Sequence, residues 1–198
     1  MKISSCILKI VTSAGFSLFL ISCVSQEPSS SYQNLLEKHT NTHKVYDGLV
    51  EVLEYNSTFL SRDLALAQVQ ENARTYQYSE SQFNNESATV QANLAKQTEF
   101  FLSLFVTETR YDDLAKKTTK WKIFLDIGGK RYEGKAIKVK SQLIELQSLY
   151  PYHNRFTSAY RLVFPVPSVE VESGVSKLTL TGPVTSVAIN YDHGMTSL

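Results

Sequence analysis

Hydrophobic residues in the first half of the chain recur with a helical period. Between Tyr32 and Leu53 they lie three and four residues apart, which is typical of one face of an amphipathic helix, although Gly48 weakens the pattern. Ser61 precedes a second run that starts at Leu64, and a weaker third run covers residues 84–96. These runs predict a helical region over residues 32–98.

Near residue 99 the period changes to two, and aromatic and β-branched residues become frequent. Residues 100–106 (FFLSLFV) are apolar at nearly every position, which predicts a strand covered on both faces. Trp121 begins an alternating segment that runs to Gly128-Gly129, a predicted hairpin turn, with a return strand over residues 131–140. Four further strands are predicted at residues 159–164, 168–171, 177–181 and 184–191.

Short strands at this spacing are typical of an antiparallel immunoglobulin-like β-sandwich, here predicted over residues 99–198. The strand of Trp121 could supply a central core residue, whereas the disulfide of antibody domains is absent. The apolar strand at residues 100–106 needs cover on its second face. We therefore predict an α+β fold in which the N-terminal helical region packs on the C-terminal sandwich as one unit.

The first 22 residues have the pattern of an export signal. Lys2 and Lys9 carry positive charge, no acidic residue occurs before Glu27, and residues 10–21 are apolar or small. A dozen residues form a helix of about 18 Å, which is short against a hydrocarbon core of about 30 Å. Residues 1–22 are therefore predicted to be a signal peptide rather than a membrane span.

The end of this segment, Leu20-Ile21-Ser22-Cys23, resembles the lipobox of bacterial lipoproteins: an aliphatic residue, a tolerant position, a small residue and a cysteine. The resemblance covers only the first 23 residues. It implies that a lipid is attached to Cys23, that a peptidase cuts before it, and that the protein is anchored to a membrane rather than spanning it. Val24 implies outer-membrane delivery under the familiar sorting rule. The alternative is an ordinary secretory signal with a chance cysteine.

Residues 23–31 are short and polar, and predict a flexible tether between the lipid and the folded part. The only other cysteine is Cys6, within the predicted signal. The mature chain therefore has no second thiol for a disulfide, and its stability must come from its core.

Charge divides the chain into two parts. Residues 27–113 contain 13 acidic and 6 basic residues, a net charge of −7, whereas residues 116–140 contain 9 basic and 2 acidic residues, a net of +7. The basic stretch could bind an anionic envelope component, or it could be a solvated strand face complemented by the acidic helices. We favour the second interpretation. Export excludes nucleic acid as a partner.

Candidate catalytic and metal sites are weak. His39 and His43 would share one face of a helix, but the glutamate of metallopeptidases and a third ligand are missing, and we predict no metal and no cofactor. No serine lies in a G-x-S-x-G context. A hydrolase with an unfamiliar site around Asp112, Asp113 or His153 is the alternative to a non-enzymatic protein.

The best local signal after Cys23 is an aromatic cluster with an arginine in a predicted loop, formed by Tyr150, Tyr152, Arg155 and Phe156. Exposed tyrosine and arginine dominate recognition surfaces, although such rings also cap sandwich cores. We therefore predict a membrane-anchored envelope lipoprotein that acts as a binding or assembly component. Its expected partner is an envelope protein or a polysaccharide.

Overall fold

The computed structural model describes residues 29–192, so Cys23 and the predicted signal peptide lie outside the described residues. No helix within that range is long and apolar enough to cross a membrane. The helices and strands of the described chain are α1 (Ser30–Lys38), β1 (Thr40–Asp47), β2 (Val50–Phe59), α2 (Arg62–Tyr76), α3 (Glu80–Leu94), β3 (Thr98–Val106), a 3₁₀ turn (Thr109–Tyr111), β4 (Lys122–Ile127), β5 (Lys130–Glu133), β6 (Lys135–Lys138), α4 (Leu143–Leu149), β7 (Ser158–Phe164), α5 (Ser168–Glu172), β8 (Val175–Thr181) and β9 (Ser186–Asp192).

The strands form two sheets. One has the order β1-β2-β3-β7-β6 and the other β5-β4-β8-β9, with every neighbouring pair antiparallel. Helices and antiparallel sheets together confirm the predicted α+β class.

One apolar core joins the two sheets. Because side chains alternate along a strand, one face of the five-stranded sheet presents Leu53, Phe100 and Leu162 to side chains such as Leu125 and Leu178 of the four-stranded sheet. This inner face excludes water almost completely, since all five residues are 0% exposed. The core of the fold therefore lies between the sheets.

The outer face of the five-stranded sheet is covered by helices. Phe101 of β3 and Ala159 of β7 pack there against Leu36 of α1, Leu64 of α2 and Leu146 of α4. β3 is thus buried on both faces, and the prediction made from its continuous apolar run is confirmed. Helix α3 contains no buried residue and packs beside α2.

The helix predicted from Tyr32 onward is wrong beyond Lys38. The chain turns at His39 and forms β1 and β2, which belong to the same sheet as β3, so the predicted limit at residue 98 does not separate helices from strands. In a run this short, hydrophobic residues spaced three and four apart also fit the alternation of a strand. That alternation, with its period of two, places Leu53 and Phe59 on the inner face. Gly48 lies at the hairpin turn with φ +60°, a conformation that favours glycine.

The two other predicted helices are confirmed near their predicted positions. Ser61 caps α2 by accepting a hydrogen bond from the backbone N–H of Leu64. Ser79 and Gln82 form a capping box at the start of α3, which begins earlier than predicted.

In the second half, the β4–β5 hairpin at Gly128-Gly129 and the strands β7, β8 and β9 are confirmed. The predicted return strand over residues 131–140 is divided at Gly134, so that β5 and β6 join different sheets. A Cβ at Gly134 would overlap the ring of Phe164, which explains the need for glycine at this crossover. The strand predicted at 168–171 is wrong: those residues form α5, which follows Pro165 and Pro167.

Candidate functional site

A groove opens on the outer side of the molecule between α1, the start of β1 and the segment after α4. It has a volume of about 460 Å³. We call it the α1 groove; it is lined by Gln33, Leu36, Glu37, Thr40, Thr42, Pro151 and Tyr152. Its position follows from the turn at His39, which folds β1 back beside the helix that precedes it.

A chain of hydroxyl groups fixes the inner wall of the groove. The Thr40 hydroxyl donates to the carbonyl oxygen of Leu36 at 2.6 Å and lies 2.6 Å from the Thr58 hydroxyl, which lies 2.5 Å from the hydroxyl of Tyr152. Each hydroxyl has one hydrogen, so Thr58 donates to Thr40 and Tyr152 donates to Thr58. Burial raises the pKa of Tyr152 well above its usual value, which keeps this donor protonated.

Polar side chains at the rim of the groove have free hydrogen-bonding capacity. The Thr42 hydroxyl donates to Asn56 Oδ1 at 2.7 Å and keeps its lone pairs. The side chains of Gln33 and Glu37 form no hydrogen bond or ion pair within residues 29–192. The groove thus combines an apolar floor (Leu36, Tyr152 and Pro151) with a rim of uncommitted donors and acceptors.

The predicted aromatic cluster is divided by the fold. Tyr150 is buried and stacks on Phe101 with ring centroids 3.5 Å apart, and its hydroxyl accepts from Gln68 Nε2 at 2.7 Å. Its proposed place on a recognition surface is therefore wrong, because it belongs to the core beneath the helices. Tyr152 is the one member of the cluster that lines the groove.

Arg155 and Phe156, the other two predicted binding residues, are exposed outside the groove. The Arg155 guanidinium lies 5.6 Å from the centroid of the Phe156 ring, whose side chain is 75% exposed. They form a local cation–π pair on an open loop.

His153 lies in a buried polar cluster on the outer face of the sheet. Its Nδ1 is 2.8 Å from the Ser103 hydroxyl and 3.0 Å from the Thr157 hydroxyl. Burial lowers the pKa of His153, so the ring favours the neutral form. Ser103 is 0% exposed, which leaves this serine–histidine pair without access for a substrate.

Asp112 and Asp113 lie elsewhere. The carbonyl of Asp112 accepts from the hydroxyl of Tyr160, an inner-face residue, and the carboxylate of Asp113 pairs with Lys138 at 3.7 Å. His153 contacts the outer face of the same sheet. The structure therefore does not bring together the three residues of the predicted alternative hydrolase site.

His39 and His43 do not share a helix face. His39 is the C-terminal cap of α1, where its Nε2 lies 3.1 Å from the Ser61 hydroxyl, whereas His43 lies in β1 beside the ring of Tyr55. Among the described residues, no three histidine, cysteine, aspartate or glutamate side chains form a group that could hold a metal ion.

The basic stretch at residues 116–140 is partly neutralised by nearby acids. Arg131 pairs with Asp126 at 2.7 Å, and this bond is the main reason why the pKa of Asp126 lies below its usual value. Lys122 pairs with Glu133 at 2.8 Å. These two acidic partners lie in β4 and β5, whereas Lys116 and Lys138 pair with Asp112 and Asp113 in the loop after β3. The acids that neutralise the stretch in these pairs therefore lie outside the acidic helices, which corrects the source of the predicted complementation.

Sequence reasoning missed most of the groove. The helical period over residues 32–53 predicts that Leu36, Thr40 and Thr42 all lie on one long helix. No local pattern marks these residues, because the site depends on a turn at His39 and on a segment more than 100 residues away.

Comparison with known proteins gives no relative: no protein-family model, curated protein or solved structure matches this chain. The groove and the signal at Cys23 are therefore the observations from which a function can be proposed.

Proposed function

We propose that the chain is a cell-envelope lipoprotein, anchored through lipid on Cys23, whose folded part is a non-enzymatic binding module. The lipobox-like sequence ending at Cys23 supports the anchor, and Val24 supports delivery to the outer membrane. The observation that carries the binding role is the α1 groove, in which an apolar floor is joined to an uncommitted polar rim.

We further propose an immunoglobulin-like sandwich with one added edge strand. The order β2-β3-β7-β6 corresponds to strands A, B, E and D of an immunoglobulin domain, and β9-β8-β4-β5 corresponds to G, F, C and C′. The shared core between the sheets supports this assignment. In this fold β1 is an additional strand, and it is the strand that forms one wall of the groove.

The groove suits a saccharide better than a protein chain. A sugar ring presents C–H groups on its faces and hydroxyls at its edge, which fits Leu36 and Tyr152 on the floor with Gln33, Glu37 and Thr42 at the rim. A volume of about 460 Å³ is large enough for a small ligand rather than for a protein surface. We therefore propose an envelope polysaccharide as the partner.

The anchor is tested by metabolic labelling with an alkyne-bearing palmitate. The wild-type chain is expected to incorporate the label and to fractionate with the outer membrane. A Cys23→Ala variant should lose both properties, and a Cys6→Ala variant serves as the matched control. Unchanged labelling of Cys23→Ala would contradict the anchor.

The ligand class is tested by co-sedimentation of the detergent-purified lipoprotein with peptidoglycan sacculi and by its retention on immobilised lipopolysaccharide. Glu37→Ala and Thr42→Val should weaken capture of whichever glycan is bound, because both side chains are exposed at the rim. Leu49→Ser, an exposed change in the β1–β2 turn, is the control. Absence of capture by both glycans, or capture insensitive to both rim variants, would overturn the proposal.

A further inference from the structure

Three aromatic residues lie together in sequence at the turn between α2 and α3; we call them the aromatic turn (Tyr76, Tyr78 and Phe83). Tyr76 is 53% exposed and Phe83 is 36% exposed. The rings of Tyr76 and Tyr78 are stacked with centroids 6.3 Å apart. The turn thus presents aromatic surface to solvent.

Local structure holds these rings in place. Tyr76 ends α2, and Gln77 follows in the left-handed conformation with φ +51°. Tyr78 precedes the N-cap Ser79, and Phe83 occupies the fourth helical position of α3, the two positions of a hydrophobic staple. The caps of α2 and α3 therefore fix the backbone that places these rings at the surface.

The chain enters the fold close to this turn. Ser29, the first described residue, donates from its hydroxyl to the carboxylate of Glu71 in α2, and Arg74 Nη2 donates to the same carboxylate at 2.6 Å. Burial acts to raise the pKa of Glu71, but these hydrogen bonds together hold it below its usual value, so the carboxylate stays charged. The start of α1 is thereby held against α2 at Glu71, five residues before the end of that helix.

Chain length limits how far the lipid can be from the aromatic turn. Six peptide units separate Cys23 from Ser29, which span at most about 22 Å. Tyr76 lies five residues beyond Glu71, or about 7.5 Å along the helix axis. A bilayer that holds the lipid of Cys23 therefore lies within reach of the turn.

The charge around the turn suits an uncharged rather than an anionic surface. Arg74 is paired with Glu71, and Glu80 adds a negative charge in the first turn of α3. Tyrosine is enriched at the headgroup level of membranes, where its ring can be in an apolar layer while its hydroxyl stays in contact with water. Phenylalanine is typical of the apolar face that interfacial helices bury at the same depth.

We propose that the aromatic turn docks into the zwitterionic headgroup layer of the bilayer that carries the lipid on Cys23. This inference rests on the proposed lipid anchor. It makes the protein bind the membrane at two points, the lipid and the turn, and so fixes the orientation of the folded part on the surface.

Site-directed spin labelling of the full, processed lipoprotein tests the proposal. The lipidated chain has no free thiol, so a single introduced cysteine is the only labelling site. Ser81→Cys places a nitroxide beside the turn without removing a ring, and Leu49→Cys places one at the fully exposed β1–β2 turn. Both are reconstituted in phosphatidylcholine–phosphatidylethanolamine vesicles.

The label at Ser81 is expected to collide several-fold less with a water-soluble nickel chelate than the label at Leu49. Changing Tyr76, Tyr78 and Phe83 to serine should remove this difference. Equal collision rates at the two sites, or protection at Leu49 instead, would overturn the inference. Failure of the chain to float with vesicles or to incorporate palmitate would instead reject the anchor itself.

Discussion

The two faces of the five-stranded sheet differ in the kind of contact that their side chains make. The inner face carries large apolar side chains, such as Phe100 and Leu102, that need only to be covered by the second sheet. The outer face mixes Phe101 with Ser103 and Thr58, whose hydroxyls find partners in residues 152–157. The inner face stabilises the fold non-directionally, whereas the outer face needs specific partners and leaves room for a groove.

Removing inner-face volume should have the largest effect. Leu102→Ala deletes a side chain that is 0% exposed and should lower the free energy of unfolding by about 2–5 kcal/mol, because it leaves a cavity in a packed core. Chemical denaturation measures the change. Leu49→Ala, at a fully exposed position, should stay within about 0.5 kcal/mol. Equal losses for the two variants would contradict the assigned core.

Removing an outer-face hydrogen bond should cost less. Ser103→Ala leaves Nδ1 of His153 with Thr157 alone and should lower the free energy of unfolding by about 1 kcal/mol. In thermal and chemical denaturation, the stability of this variant should lie between that of Leu102→Ala and that of the wild type. A loss as large as that of Leu102→Ala would mean that the polar cluster contributes as much as the apolar core.

Acidification should also act on the outer face through His153. Burial lowers its pKa in the folded protein, so between about pH 7 and pH 5 the unfolded chain binds a proton that the folded chain resists. Stability is therefore expected to fall as the pH falls through 6.5, the usual histidine value. Denaturation curves of wild type and His153→Gln over this range should show a shallower slope for the variant; identical slopes would contradict the assignment.

The smallest effect on stability is expected at the groove rim. Glu37→Ala removes an exposed carboxylate that forms no hydrogen bond or ion pair within residues 29–192, and it should change the free energy of unfolding by about 0.5 kcal/mol or less. Its effect on glycan capture should be far larger than its effect on folding. A large destabilisation would show that the rim supports the fold instead of binding a ligand.

The elements that the sequence predicts are those whose contacts are local. β3, the β4–β5 hairpin and α2 carry local signals: a continuous apolar run, a Gly-Gly turn and a serine cap. The α+β class follows from such signals.

Other elements depend on distant residues. The run over residues 32–53 predicts a helix where β1 and β2 form, because a short amphipathic run fits both periods. In the structure α1 ends at Lys38, where the ring of the next residue, His39, contacts Ser61, 22 residues away. Tyr150 appeared to be a surface residue because nothing local shows that Phe101 stacks on it. Of the predicted aromatic residues, only Tyr152 lines the groove. The sequence could not single it out, because it is held there by a contact with Thr58, 94 residues away.

The most direct test of the α1 groove as a glycan site is nuclear magnetic resonance of the isotope-labelled lipoprotein in detergent micelles. Glycan strands released from peptidoglycan, or O-chains from lipopolysaccharide, would be titrated according to which glycan the protein captures. We expect the amide and methyl signals of Leu36, Thr40 and Thr42 to shift first and most, while those of Leu49 and Ile127 stay unchanged. Shifts centred on Arg155 and Phe156, or no saturable shift at all, would contradict it.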